Sequence, residues 1–229
     1  MNDSSNKNEL TLKHAIWSTF YVLIAGIGAI LVSTLIIFLI DSGLSKEDFL
    51  IIFPRLTPFF YISCLVVLFL YIGTRTGLDL SCLGFKKSGL KQALIAGFIA
   101  WIILGLIPII LEKDFVFKIV NNLRLLVTHP ISYAYIWVGI TVGPVLEEAF
   151  YRGLWYKVLR DKMPSFFAII IVSFVFSILH QGRSLFQYFV LFFVGIIYTL
   201  LYQKTNNLYS SITAHILVNL FVFLRTLQI

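Results

Sequence analysis

Long apolar stretches separated by short polar connections set the plan of this 229-residue chain. Ala15 to Ile40 carries no charge and follows Lys7 and Lys13. A secretory signal peptide has an apolar core of about 7–15 residues and then a small-residue cleavage site. This run is longer and ends at Asp41 without such a site. It reads as a retained transmembrane helix, since about 20 apolar residues span the hydrocarbon core of a bilayer. Thr57 to Ile72, Leu90 to Leu111, Ile131 to Gly143, Ser165 to His180, Leu185 to Tyr202 and Leu208 to Leu227 are further apolar runs. Val145 to Arg160 continues at helix length beyond Gly143-Pro144, and that pair predicts a break with a new helix start.

Phe115 to Val127 differs, because Lys118, Asn121 and Asn122 interrupt its apolar positions at helical spacing. One polar face suits a helix lying in the membrane interface, with a short tilted span as the alternative. No soluble domain, low-complexity segment or internal repeat is evident. The pattern predicts an all-α fold, a polytopic transmembrane helical bundle of about seven to eight spans. The segment around Phe115 decides between the two counts.

Composition agrees: 59% of residues are hydrophobic, 13% are charged, and the mean hydropathy is +0.92. Soluble domains carry about 25% charged residues, so a soluble enzyme, a disordered chain and a nucleic-acid module are excluded. The net charge of +7 does not form one basic stripe. Its Lys and Arg residues sit between apolar runs, where they meet membrane lipid headgroups. Cys64 and Cys82 have no CxxC spacing and read as fillers or a free thiol. With the N-terminus in the cytoplasm, the inner connections hold Lys7, Lys13, Arg75, Lys86, Lys87, Lys91, Lys157, Arg160, Lys162 and Lys204. The outer ones hold Lys46, Arg55, Lys113, Lys118, Arg124, Arg183 and Arg225, a modest preference that an extra span around Phe115 would invert beyond it.

Ionisable residues inside apolar runs are the informative ones, since each is costly in a bilayer unless paired or wetted. Glu147-Glu148-Ala149-Phe150-Tyr151-Arg152 is the first such place. Glu148 and Arg152 are four apart with the acid N-terminal, the favourable order for an ion pair. Glu147 is turned about 100° away and shares its face with Tyr151. Without a cation at helical spacing, Glu147 is suited to taking a proton. A solvated helix end is the plain alternative.

His180, on one face with Ser173 and Ser177, is the second place. Glu147 lies about 15 residues before the Asp161–Pro164 turn and His180 about 17 after it. In an antiparallel pair both fall about 23–26 Å from the turn at 1.5 Å per residue, hence at similar depth. Ser211, His215 and Asn219 form the third, an i, i+4, i+8 stripe that interhelical hydrogen bonding alone would also explain. HExxH is absent, yet two His and one Glu suffice for a zinc site. The metal-free alternative has a carboxylate and a histidine activating water, while a second histidine and an amide hold the oxyanion.

Glu147-Glu148-x-x-x-Arg152, Phe176-x-x-x-His180 and His215-x-x-x-Asn219, in this order, resemble the three motifs of the CPBP family. That family includes type II CAAX prenyl endopeptidases, Abi-type proteins and bacteriocin-processing or immunity proteins. The resemblance covers roughly Ile131 to the C-terminus. It divides the chain into N-terminal transmembrane helices with an interfacial segment, 1–130, and a catalytic core, 131–229. It implies a multi-pass cell-membrane endopeptidase of glutamate type without a cofactor or resident metal. In that scheme Glu147 is the general base and His180 helps to hold and activate the water. His215 and Asn219 form the oxyanion site, with Glu148 and Arg152 in support. The implied substrate is a membrane-associated peptide or protein, whether lipidated or a bacteriocin or signalling peptide. The alternatives are non-proteolytic self-immunity by peptide binding and, last, a proton-coupled transporter. The latter lacks the paired broken helices and repeats of that class.

Overall fold

The computed structural model describes residues 9–40, 45, 56–111, 115–128, 134–180 and 184–226. Its helices follow the apolar runs closely: α1 Leu12–Ile40, α2 Thr57–Tyr71, α3 Leu90–Leu111 and α4 Phe115–Thr128, then α5 Ala134–Glu148, α6 Ser165–Ile178, α7 Leu185–Thr205 and α8 Tyr209–Thr226. No strand occurs among the described residues. The fold is the expected all-α bundle. α1, α2 with its extension to Thr76, and α7 are each long and apolar enough to cross a membrane. Large apolar side chains such as Leu31, Phe38 and Phe193 point outwards, as a lipid-facing surface requires.

Helix directions follow from the contacts at each end. At one end, Asn207 Nδ2 donates to the Lys86 and Ser88 carbonyls at 2.9 and 3.0 Å. There the Lys157 ammonium donates to the Cys82 carbonyl at 2.8 Å, and Trp155 Nε1 donates to Thr19 Oγ1 at 3.0 Å. The start of α1, the end of α2, the start of α3, the end of the α5 segment and the α7–α8 turn therefore share this end. Toward the other end, Asn122 of α4 donates to the Leu224 carbonyl near the close of α8 at 2.6 Å. The chain thus leaves α3 and enters α5 on the same side, with α4 lying there between them. α4 turns Asn122 inwards and exposes Phe117, Val120 and Leu123.

The predicted break at Gly143-Pro144 does not occur. Pro144 lies inside α5, which runs without interruption to Glu148. Apolar neighbours and local backbone adjustment let membrane helices accommodate proline. Here the adjustment comes after the acids: Ala149–Tyr156 is π-helical, and Lys157–Arg160 then resumes the α form. Glu147 and Glu148 consequently sit deep within one long helix, not at a helix N-terminus. Glu148 is held there by its side-chain partners, not by a helix terminus.

Two close approaches fix the packing. Gly153, in the π segment, lets the Leu83 carbonyl come so near that a Cβ would lie 2.6 Å from its oxygen. On α3, a Cβ at Gly97 would lie 2.8 Å from Thr213 Cβ and nearer still to the Ser210 carbonyl oxygen. Parallel helices α3 and α8 thus touch at backbone distance, the small-residue packing that membrane helices favour. Gly97→Ala is expected to cost about 1–3 kcal/mol by overpacking. Gly105→Ala, where the nearest atom would be 3.6 Å away, is expected to be tolerated. Unfolding temperatures of both variants in detergent micelles check this.

Candidate active site

A fully buried ion pair organises the centre. Arg152 Nη1 donates to Glu148 Oε1 at 2.9 Å, with both side chains wholly excluded from solvent. The other guanidinium nitrogens also have partners: Nη2 donates to the Gly195 carbonyl at 3.0 Å and Nε to Thr199 Oγ1 at 3.3 Å. The guanidinium carbon stands 4.5 Å from the centre of the Phe176 ring, a cation–π distance. A buried charge is costly unless it is paired in this way; every guanidinium nitrogen has a partner, while the bonds to Glu148 from Arg152 and His215 both fall on Oε1.

His215 enters the same carboxylate from α8, its Nδ1 lying 2.9 Å from Glu148 Oε1. An ionised carboxylate only accepts, so Nδ1 carries the proton and donates. The imidazole then presents Nε2 to Glu147, 3.8 Å from Oε2. His180 arrives from just past the end of α6 in a matching way. Its Nδ1 donates to the Phe176 carbonyl at 2.7 Å, and its Nε2 stands 3.8 Å from the same Glu147 Oε2. Both histidines are thus held at Nδ1 and aim Nε2 at one carboxylate oxygen. That oxygen makes no direct hydrogen bond within the protein.

Glu147 and His180 meet across the antiparallel pair, as their similar distances from the turn predict. At 14 residues α6 is about 21 Å long, short of a bilayer's roughly 30 Å core. Glu147 and His180 retain 21% and 24% side-chain exposure, whereas Glu148 has none; the Glu147 oxygen that faces the histidines is itself buried, so the open part of the side chain lies beside it. Asn219 lies one turn beyond His215 on α8 and is half-buried. Ser211 is buried and donates to the Leu208 carbonyl at 3.2 Å. Ser173 is buried against Gly195 of α7, and Ser177 donates to the Tyr188 carbonyl at 2.6 Å.

Sequence reasoning missed what α7 contributes. Gly195 and Thr199 hold Arg152, and Tyr198 stacks on His215 with ring centres 4.9 Å apart and planes 29° apart. The available signal was a small-x-x-x-small pair, Gly195 and Thr199, within an apolar run. Tyr61 of α2, packed where Gly143 leaves room, also escaped notice. Among the described residues, no group of three or more His, Cys, Asp or Glu is spaced to hold a metal ion.

An all-helical membrane bundle whose interior carries a paired carboxylate and a second carboxylate facing two histidines defines a narrow class. Residues 129–221 match the family model described as Type II CAAX prenyl endopeptidase Rce1-like. The chain is also 27% identical over 183 residues to the Bacillus subtilis (strain 168) protein named "Putative membrane peptidase YdiL". That alignment takes in 73% of this chain and 70% of the relative. No solved structure gives a significant match. These likenesses support a membrane protease at the family level: residues 129–221 resemble the Rce1-like endopeptidases, and the Bacillus relative is named as a membrane peptidase.

Removing one member of the buried pair should be the more damaging change. Arg152→Met is expected to cost about 3–5 kcal/mol by stranding Glu148, whereas the double variant Glu148→Leu/Arg152→Met should cost less than the single one. Arg152→Lys should not restore stability, because one ammonium cannot span Glu148, Gly195 and Thr199. Thermal unfolding in micelles, compared across the three variants, checks the order.

Proposed function

We propose that the protein is an intramembrane endopeptidase of glutamate type. It hydrolyses a peptide bond in a membrane-associated peptide or protein. Residues 131–229 form its catalytic core and the preceding helices a supporting wall in a multi-pass cell-membrane protein. The observation that carries this reading is the position of Glu147 Oε2, 3.8 Å from Nε2 of both His180 and His215. That separation exceeds a direct hydrogen bond and is short enough for one water molecule to link the groups.

In this mechanism the water is held between Glu147 and His180. Glu147 takes its proton as the oxygen attacks the scissile carbonyl carbon. The resulting tetrahedral oxyanion is held by His215 and by the Asn219 amide. His215 donates from Nε2 only when that atom is protonated, since Nδ1 is already committed to Glu148. The adjacent Glu148 carboxylate balances the charge of that doubly protonated ring. Collapse of the intermediate breaks the C–N bond, and the leaving amine takes the proton that Glu147 received. Donors set in advance around a water-poor site are the principal means of lowering such a barrier.

Access supports this substrate class. Glu147 and His180 lie among lipid-facing helices, so the scissile bond reaches them from a segment already in the membrane. Lipidated C-termini and bacteriocin or signalling peptides both meet that condition. The test is cleavage of a reporter peptide by purified protein in liposomes. Glu147→Gln and His180→Ala should each reduce the rate at least about a hundredfold while the protein remains folded. Undiminished cleavage in both would overturn the mechanism. Loss of activity with a chelator and recovery with zinc would replace it by a metal-dependent one. If Glu147→Gln still protected cells against a bacteriocin as wild type does, binding alone would account for the protein.

A further inference from the structure

We infer that Tyr198 is a positioning residue for His215, acting through the face of its ring and not through its hydroxyl. This rests on the reading of His215 as the oxyanion donor. The hydrogen bond from Nδ1 to Glu148 holds one edge of the imidazole but leaves the ring free to tilt about that bond. Any tilt moves Nε2, the atom that faces Glu147.

Two aromatic rings limit that freedom. Tyr198 lies nearly parallel to the imidazole, 4.9 Å away at 29°, and covers one face. Phe176 meets it edge-on, 5.8 Å away at 79°. Phe176 also contacts His180 at 4.6 Å and the Arg152 guanidinium at 4.5 Å, and Tyr198 itself lies 5.5 Å from that guanidinium. The parallel contact belongs to Tyr198. This residue comes from α7, which carries none of the three motifs yet holds Arg152 through Gly195 and Thr199. One helix face thus holds both neighbours of Glu148: the arginine by hydrogen bonds and the histidine by stacking.

The hydroxyl of Tyr198 is buried and makes no hydrogen bond to the protein, so the stack needs only the ring. That separates the two parts of the side chain experimentally. Tyr198→Phe keeps the flat face; Tyr198→Leu and Tyr198→Met keep apolar bulk without it. Misplacing a reacting group by about an ångström costs about a hundredfold in rate. The ring-less variants should therefore lose about ten- to a hundredfold in kcat with KM little changed. Tyr198→Phe should retain both.

The direct readout does not depend on cleavage. In protein reconstituted in nanodiscs and labelled with 15N at histidine, the His215 ring protons should carry an upfield ring-current shift from Tyr198. Tyr198→Phe should preserve that shift, and Tyr198→Leu or Tyr198→Met should abolish it. An unshifted His215 in the wild-type protein would overturn the inference even if proteolysis is confirmed. So would full kcat in the ring-less variants, or a loss in Tyr198→Phe equal to theirs. A shifted His215 in a protein that cleaves nothing would leave the stack standing and remove the proteolytic reading instead.

Discussion

The buried pair of Glu148 and Arg152 is the constraint on which the rest of the site depends. Two charges with no solvent exposure must satisfy one another and every remaining donor. The requirement brings the Gly195 carbonyl and Thr199 of α7 against Arg152, and His215 of α8 against Glu148. Three helices are thereby locked around one carboxylate oxygen. The catalytic proposal uses what this lock leaves over: a second, partly exposed glutamate next door, and two imidazoles held at Nδ1 and aimed at it by Nε2.

The adjacency of the two glutamates is therefore a division of labour. Neighbours on a helix point about 100° apart, so one carboxylate turns into the packed interior and the next towards the open side. The interior one is committed to a permanent partner. The outer one stands near two nitrogens without bonding to either. The π-helical stretch that follows accommodates the change of phase and, through Gly153, the close approach of the Leu83 carbonyl. Such widened turns are frequent at functional sites in helices.

Much of this was legible in the chain itself. Among the described residues the patterning located α1 to α8, and Leu90–Leu111 is met residue for residue. The Glu148–Arg152 pair followed from i, i+4 spacing, and the meeting of Glu147 with His180 from distances to a shared turn. What escaped has a common physical cause. A helix that is apolar all round has little amphipathic pattern to say which face packs inwards, so the stacking of Tyr198 on α7 was invisible and Gly195 and Thr199 left only a small-residue spacing. Pro144 misled for a related reason. In water a proline of this kind ends a helix, whereas among membrane helices the chain keeps its internal hydrogen bonds and adjusts a few residues later. On α4, Asn122 was read as part of one polar face suited to the interface; the structure turns it inwards to the Leu224 carbonyl, since a buried amide needs a partner.

The contrast in exposure between the two glutamates allows a direct test of which one serves as the base. With Glu147 replaced by alanine, added formate can enter the space that the lost carboxylate occupied, since that side of the site is partly open. With Glu148 replaced by alanine it cannot, because that position is sealed. The measurement is the rate of peptide cleavage in liposomes as formate is titrated into each variant. A formate-dependent recovery in Glu147→Ala and none in Glu148→Ala is the predicted result. Recovery confined to Glu148→Ala, or unaided cleavage by Glu147→Ala, would contradict the account.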